Sequence, residues 1–249
     1  MTAMRRLPGS RFRRSVTIVL MAFSLLSIGS AGFAWYLGYL HGPIYLLVPA
    51  SAPAPPSEAG TVAVFFSGDT GLNAGMGRSI MRHVAGQGIT VIGVNSLTAF
   101  SHRRSPDQVS TIVRHAVVRA LALPGARRVV LIGHSFGANA LLFGLQTLPH
   151  QLRVRVPVVE LIVPSQTMLL RATPGGIFEF ENDGSALPAA RRLDWVPVLC
   201  IRGHAEAQSL CKGWDSGNVH QVSLPGDHFL DEDTTLVAAT LLRDIAVNS

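Results

Sequence analysis

The chain has 249 residues, 48% of them apolar, and a formal net charge of +6. Such a length suits one ordinary domain with extensions, and the composition excludes disordered and collagen-like chains. Arg5, Arg6, Arg11, Arg13 and Arg14 precede any acidic residue, the first being Glu58. Beyond these five the chain carries 16 basic against 15 acidic residues. The basic character therefore belongs to the tail, which argues against a nucleic-acid-binding face.

A basic tail ahead of an apolar run is a topology signal, because positive charge stays cytoplasmic. Residues 16–40 carry no charge and exceed the roughly 20 residues that span a bilayer. Residues 1–40 thus read as a cytoplasmic tail with an uncleaved signal anchor. The rival is a cleaved signal peptide with its apolar region at 16–28 and a cleavage site at Gly32-Phe33-Ala34. Both place the rest of the chain outside the cytoplasm, in the periplasm of a bacterial cell. The Arg13-Arg14 pair lacks the hydrophobic residues that follow a twin-arginine signal. Residues 41–60 read as a linker, since Pro43, Pro49, Pro53, Pro55 and Pro56 oppose helix and central strand. A short edge strand at 44–48 is the alternative within it.

The domain is expected over 61–249. Strands are expected at 61–66, 90–94, 128–132, 154–163, 196–201 and 219–224, where short β-branched or apolar runs meet turn residues. Helical spacing covers 76–85, 106–123, 138–148 and 234–245, the second opened by Ser105 as N-cap and Pro106 at its first position. This alternation predicts an α/β domain, a mostly parallel sheet with helices on both faces. Ligands in such domains bind beyond the carboxyl ends of the strands.

Gly133-His134-Ser135-Phe136-Gly137 follows one predicted strand and opens a helix. This is the setting of a G-x-S-x-G nucleophile elbow in the α/β-hydrolase fold. Ser135 is the candidate nucleophile. The fold orders its triad Ser, acid, His, and His228 follows the last strand on the same rim, so His228 is the candidate base. His204 is its one serious rival. Glu206, after the preceding strand, is the candidate acid, with Asp215 and Asp231 in reserve. Oxyanion donors are expected from the amide of Phe136 and from Asp69 or Thr70 in the Ser67–Gly71 loop. Asp69 and His134 are candidate substrate contacts, Asp69 being either a turn former or a receptor for a cationic group. Cys200 and Cys211, an even pair in an exported chain, suggest a disulfide around Glu206 rather than two buried thiols. No metal or organic cofactor is implied. Residues 169–193 are the expected cover over the site; Phe178-Glu179-Phe180 does not read as a helical lid, so at most a minimal cap is expected.

The chain resembles the bacterial virulence proteins of the VirJ and AcvB type. The likeness rests on Phe66-Ser67-Gly68-Asp69, on residues 91–97 and 128–138, on Cys200 with Ser209-Leu210-Cys211, and on Leu224-Pro225-Gly226-Asp227-His228. It implies a periplasmic serine hydrolase. In AcvB-like members it implies cleavage of the aminoacyl ester of lysyl-phosphatidylglycerol, and in VirJ-like members association with type IV secretion components. The chain departs from the expected pattern at Thr70 for glycine, Asn139 and Gln208 for aspartate, and Phe229 for a second histidine. A triad acid at the Gln208 position would be missing here. AcvB-like members also carry a preceding domain. Three readings follow: a membrane-tethered ester hydrolase acting on an aminoacylated phospholipid, a non-catalytic periplasmic protein binding secretion components, and a general carboxylesterase.

Overall fold

The computed structural model describes residues 9–176 and 182–248, with side chains described from Arg14 onward. The Phe178-Glu179-Phe180 stretch of the expected cover lies outside the described residues. A long helix, α1 (Gly9–Leu37), comes first, then strand β1 (Tyr45–Val48). There follow β2 (Thr61–Phe66), α2 (Gly77–Gly86), β3 (Thr90–Val94), α3 (Ser96–Ala99), α4 (Pro106–Leu121), β4 (Arg128–His134), α5 (Phe136–Gly144) and α6 (His150–Arg153). The chain closes with β5 (Val159–Ile162), α7 (Leu187–Arg191), β6 (Val198–Gly203), β7 (Val219–Leu224) and α8 (Thr234–Asn248).

The strands form one seven-stranded sheet in the order β1-β3-β2-β4-β5-β6-β7. Every neighbouring pair is parallel except β1 with β3. β1 is the edge strand anticipated at 44–48. Period-two alternation sends Val64, Phe66 and Leu131 to a core beneath α4, α5 and α7. Ala63, Phe65, Val130 and Ile132 face the opposite core, under α2 and α8. All six residues of β2 are buried. Each such phenylalanine contributes about 2–3 kcal/mol by leaving water.

Several boundaries move for local reasons. The strand expected over 154–163 begins only at Val159. Residues 150–153 form a helical turn, Val154 is 67% exposed, and Pro157 withholds an amide from the ladder. Pro197 likewise delays β6 to Val198. The helix expected at 138–148 starts at Phe136, directly after the elbow serine, and tightens to a 3₁₀ turn at Leu145–Thr147. The helix from Pro106 begins where anticipated. Ser105 accepts from the Gln108 amide while the Gln108 side chain accepts from Ser105, a reciprocal cap.

One buried group stands against the apolar logic of the sheet. Glu160 on β5 is fully buried between Ile132 and Leu199, and no partner for its carboxyl oxygens is found among the described residues. Burial, reinforced by nearby Asp244, pushes its pKa well above the ordinary carboxylate range. Asp244 is itself raised by burial, with His220 and Asn248 opposing. The fold therefore holds a proton that the unfolded chain releases above the ordinary range. A group of this kind makes stability fall as pH rises through its unfolded value. Glu160→Gln is expected to raise the unfolding temperature at neutral pH by roughly 2–10 °C, on the order of 1–3 kcal/mol. At pH 4 the gain should vanish. Calorimetry at the two pH values checks this, and equal gains at both would contradict it.

Candidate active site

β4 lies at the middle of the sheet and ends at Gly133-His134. Ser135 then takes φ 51° and ψ −115°, and α5 starts at the next residue. Positive φ is strained for a serine. It turns the chain from strand to helix in one residue and lifts the hydroxyl onto the rim. Two glycines make room for it. A Cβ on Gly137 would run into the carbonyl oxygens of Phe66 and Ser67, and one on Gly133 would lie 2.6 Å from the Cα of Ala138. The Ser135 amide donates to the Ile162 carbonyl at 2.8 Å, tying the turn to β5.

Three side chains meet here in a row. The Ser135 hydroxyl is 2.9 Å from Nε2 of His228. Nδ1 of His228 is 2.6 Å from Oε1 of Glu206. The other Glu206 oxygen accepts the Gly203 amide at 3.3 Å. A carboxylate accepts only, so the His228 proton sits on Nδ1 and leaves Nε2 to accept from serine. Glu206 is buried and His228 is about one-third exposed. Such a row can remove the serine proton and return it to a leaving group.

The loops that carry His228 and Glu206 are pressed together. A Cβ on Gly203 would collide with the Asp227 carbonyl. Across the same seam the His204 amide donates to Leu224 and the Ala205 amide to Gly226. The Phe229 amide donates to the Asp227 side chain at 2.8 Å, which turns the chain at His228. Cys200 and Cys211 form a disulfide with Cα atoms 5.7 Å apart, closing the loop that contains Glu206. The disulfide fits an extracytoplasmic protein, and the N-terminal helix, apolar over the 24 residues Arg14–Leu37, fits a signal or an anchor. His204, Gln208, Asp215 and Asp231 are exposed and stand outside the row.

The loop after β2 faces the elbow. Ser67 and Ser96 latch it: the Ser96 amide donates to the Ser67 hydroxyl at 2.9 Å, and the Ser96 hydroxyl donates to the Ser67 carbonyl at 2.6 Å. Sequence reasoning assigned this buried pair no role; small hydroxyls at the ends of two adjacent strands were the available signal. Phe136 occupies the first position of α5, where an amide has no acceptor within the helix. Asp69 is half-buried. Burial raises its pKa, while its own amide and then His228 lower it. His134 lies against Gly68, and its pKa is lowered by burial, then by His228, to about 4. It is therefore a neutral polar neighbour at physiological pH. Among the described residues no group of three or more His, Cys, Asp or Glu side chains is placed to hold a metal.

The family model described as bacterial virulence protein (VirJ) matches residues 60–248. The chain belongs to the VirJ family. No curated protein sequence matches it. Solved structures with the same fold include Est1E from Butyrivibrio proteoclasticus, 16% identical with a TM-score of 0.57 over 81% of this chain and 94% of that one. Dienelactone hydrolase from Anabaena variabilis is 15% identical, TM-score 0.56, over 80% and 88%. The Bacillus licheniformis lipase BlEst2 is 12% identical, TM-score 0.57, over 81% and 97%. These likenesses establish the α/β-hydrolase fold.

Within this VirJ-family chain, Asn139 has a specific place. Its side-chain amide donates to the carbonyls of Ser165 and Thr167, each at 2.9 Å, and its oxygen accepts the Ser165 amide at 2.9 Å. An aspartate there would set a carboxylate against two carbonyl oxygens. Asn139→Asp is expected to lower stability by about 1–3 kcal/mol, read as a lower urea midpoint with an unchanged slope; an unchanged midpoint would contradict this.

Proposed function

We propose that this VirJ-family protein is a periplasmic, membrane-tethered serine ester hydrolase that removes the aminoacyl group of lysyl-phosphatidylglycerol. The observation that carries the reaction class is the continuous hydrogen-bonded row Ser135–His228–Glu206 at a strained elbow. The Ser135 oxygen attacks the ester carbonyl as Nε2 of His228 takes its proton. The acyl C–O bond then breaks, and His228 returns the proton to the departing lipid oxygen. Water, deprotonated by His228, attacks the acyl-serine; its acyl C–O bond breaks, lysine leaves, and His228 returns the proton to the Ser135 oxygen. Glu206 holds the imidazole and stabilises its cationic form. The amide of Phe136 and that of Asp69 or Thr70 are the candidate oxyanion donors, each worth ~3 kcal/mol in other hydrolases.

Substrate choice rests on two supports. The solved structures that share the fold include proteins named as a lipase and a dienelactone hydrolase, which favours ester chemistry. Asp69 supplies a half-buried carboxylate beside His228. An incoming ammonium group would favour the ionised form of Asp69 and be held by it. Neutral His134 supplies a further polar contact.

The test is release of free lysine from lysyl-phosphatidylglycerol in mixed micelles, followed by mass spectrometry. Ser135→Ala is expected to abolish release, and Glu206→Gln to lower kcat on the order of 10³–10⁴-fold. Parental protein that releases no lysine yet reacts with a fluorophosphonate would keep the hydrolase and discard this substrate. Failure of both would favour a binding protein. Asp69→Asn is expected to lower kcat/KM for the lysyl lipid about tenfold while sparing a neutral aminoacyl lipid; equal losses on both would remove Asp69 from recognition.

A further inference from the structure

We propose that the last turn of α1 is built into the rim of the active site, so that the mouth of the site is held against the bilayer surface and takes its ester from lipids in that leaflet. The proposal rests on reading Ser135 as the nucleophile of an ester hydrolase and deepens that reading by fixing how substrate is presented.

The change along α1 is abrupt. A run of 24 residues would extend about 36 Å, enough to cross the hydrocarbon core. Side chains from Arg14 to Phe33 are exposed, and Trp35 and Tyr36 remain 59% and 57% exposed. Leu37 is 1% exposed and belongs to the core that contains Phe66, Leu97 and Phe136. Aromatic side chains at the end of an apolar helix mark the lipid–water boundary. Here that boundary falls one residue before the domain core begins.

The joint is stiff. Gly38, at φ 85°, donates to the Trp35 carbonyl, and Tyr39 donates to the Ala34 carbonyl, both at 2.9 Å. This double closure ends the helix and fixes its exit direction. Cleavage after Ala34 would remove one of the two acceptors, so the joint also argues that the helix is retained. Asn95 donates to the Leu37 carbonyl at 3.2 Å and Thr98 to the Gly38 carbonyl at 2.7 Å. The Tyr36 hydroxyl donates to the Asn73 carbonyl at 3.0 Å, and the Asn73 side chain donates back to the Tyr36 carbonyl at 2.5 Å.

These partners are not scattered. Asn73 lies in the loop between β2 and α2, and Asn95 and Thr98 follow β3, all at the carboxyl end of the sheet. A Cβ on Gly71 would lie 2.9 Å from the Leu37 carbonyl oxygen. The helix end therefore rests on the loop that carries Asp69 and Thr70, whose other side the elbow touches through Gly137. Phe229, 65% exposed, follows His228 on the same rim. Like Trp35 and Tyr36, it is an aromatic of the kind enriched at the lipid–water boundary.

Full-length protein in phosphatidylglycerol vesicles provides the test. A dye that responds to its surroundings is placed on F229C, and on G217C at the opposite end of the sheet, where a side chain meets open space. Quenchers borne on lipid headgroups are expected to quench the first at least threefold more than the second. Equal quenching by lipid-borne quenchers, with equal access to aqueous iodide, would overturn the proposal whatever the activity. Activity gives the second arm. A six-residue Gly/Ser insertion after Phe33 keeps Ala34 and both closures with the docked residues and frees the span. It is expected to slow hydrolysis of vesicle-embedded aminoacyl lipid at least tenfold, while hydrolysis of a short soluble ester stays within twofold. An unchanged vesicle rate would also overturn it. If the parental protein hydrolyses neither ester and resists fluorophosphonate, the hydrolase reading fails, and the dye comparison still decides whether the rim lies on the membrane.

Discussion

The whole arrangement turns on one residue held at a backbone angle it does not favour. Ser135 sits at positive φ, at a cost of order 1–3 kcal/mol in similar cases, and is held there by its amide's bond to Ile162 and by the first amides of α5 on its carbonyl. The turn survives because β4 is central, flanked by β2 and β5 in a sheet buried on both faces. The two elbow glycines let backbone touch backbone, so that α5 packs against the ends of β2 and β4 without intervening side chains. A methyl group at either position would push the helix outward and carry the serine away from His228.

The same device is used at the second seam. Gly203 and Asp227 meet backbone to backbone, and this contact sets the spacing between the loop that supplies Glu206 and the loop that supplies His228. Neither loop needs a long side chain to reach the other. Hydrogen bonds through Leu224 and Gly226 register the two, and the 2.6 Å contact between carboxylate and imidazole follows from that register.

Much of this was legible because the chemistry is local in sequence. The elbow lies between an apolar strand and a helix, and the last two strands lead into their acid and base within a few residues. What escaped was non-local. Val154 and Val156 look like strand residues, yet Pro157 and a preceding helical turn keep them out of the ladder. The Ser67–Ser96 latch joins residues 29 positions apart, and no periodicity announces it. Asn139 reads as a lost carboxylate until its two carbonyl partners are seen. Glu160 interrupts an apolar strand without announcing its burial, and only the fold shows how deeply it is enclosed. Gln208 is exposed, and Glu206 is the carboxylate that reaches the imidazole.

The bridge between Cys200 and Cys211 spans 11 positions in sequence and encloses Glu206. Thiols pair in oxidising surroundings and stay apart in the cytoplasm. In an extracytoplasmic protein, the setting that the disulfide fits, the loop bearing the acid would lack its covalent closure until export and depend on backbone contacts alone. Final closure around Glu206 would then be coupled to the compartment, the last fastening being made outside the cytoplasm.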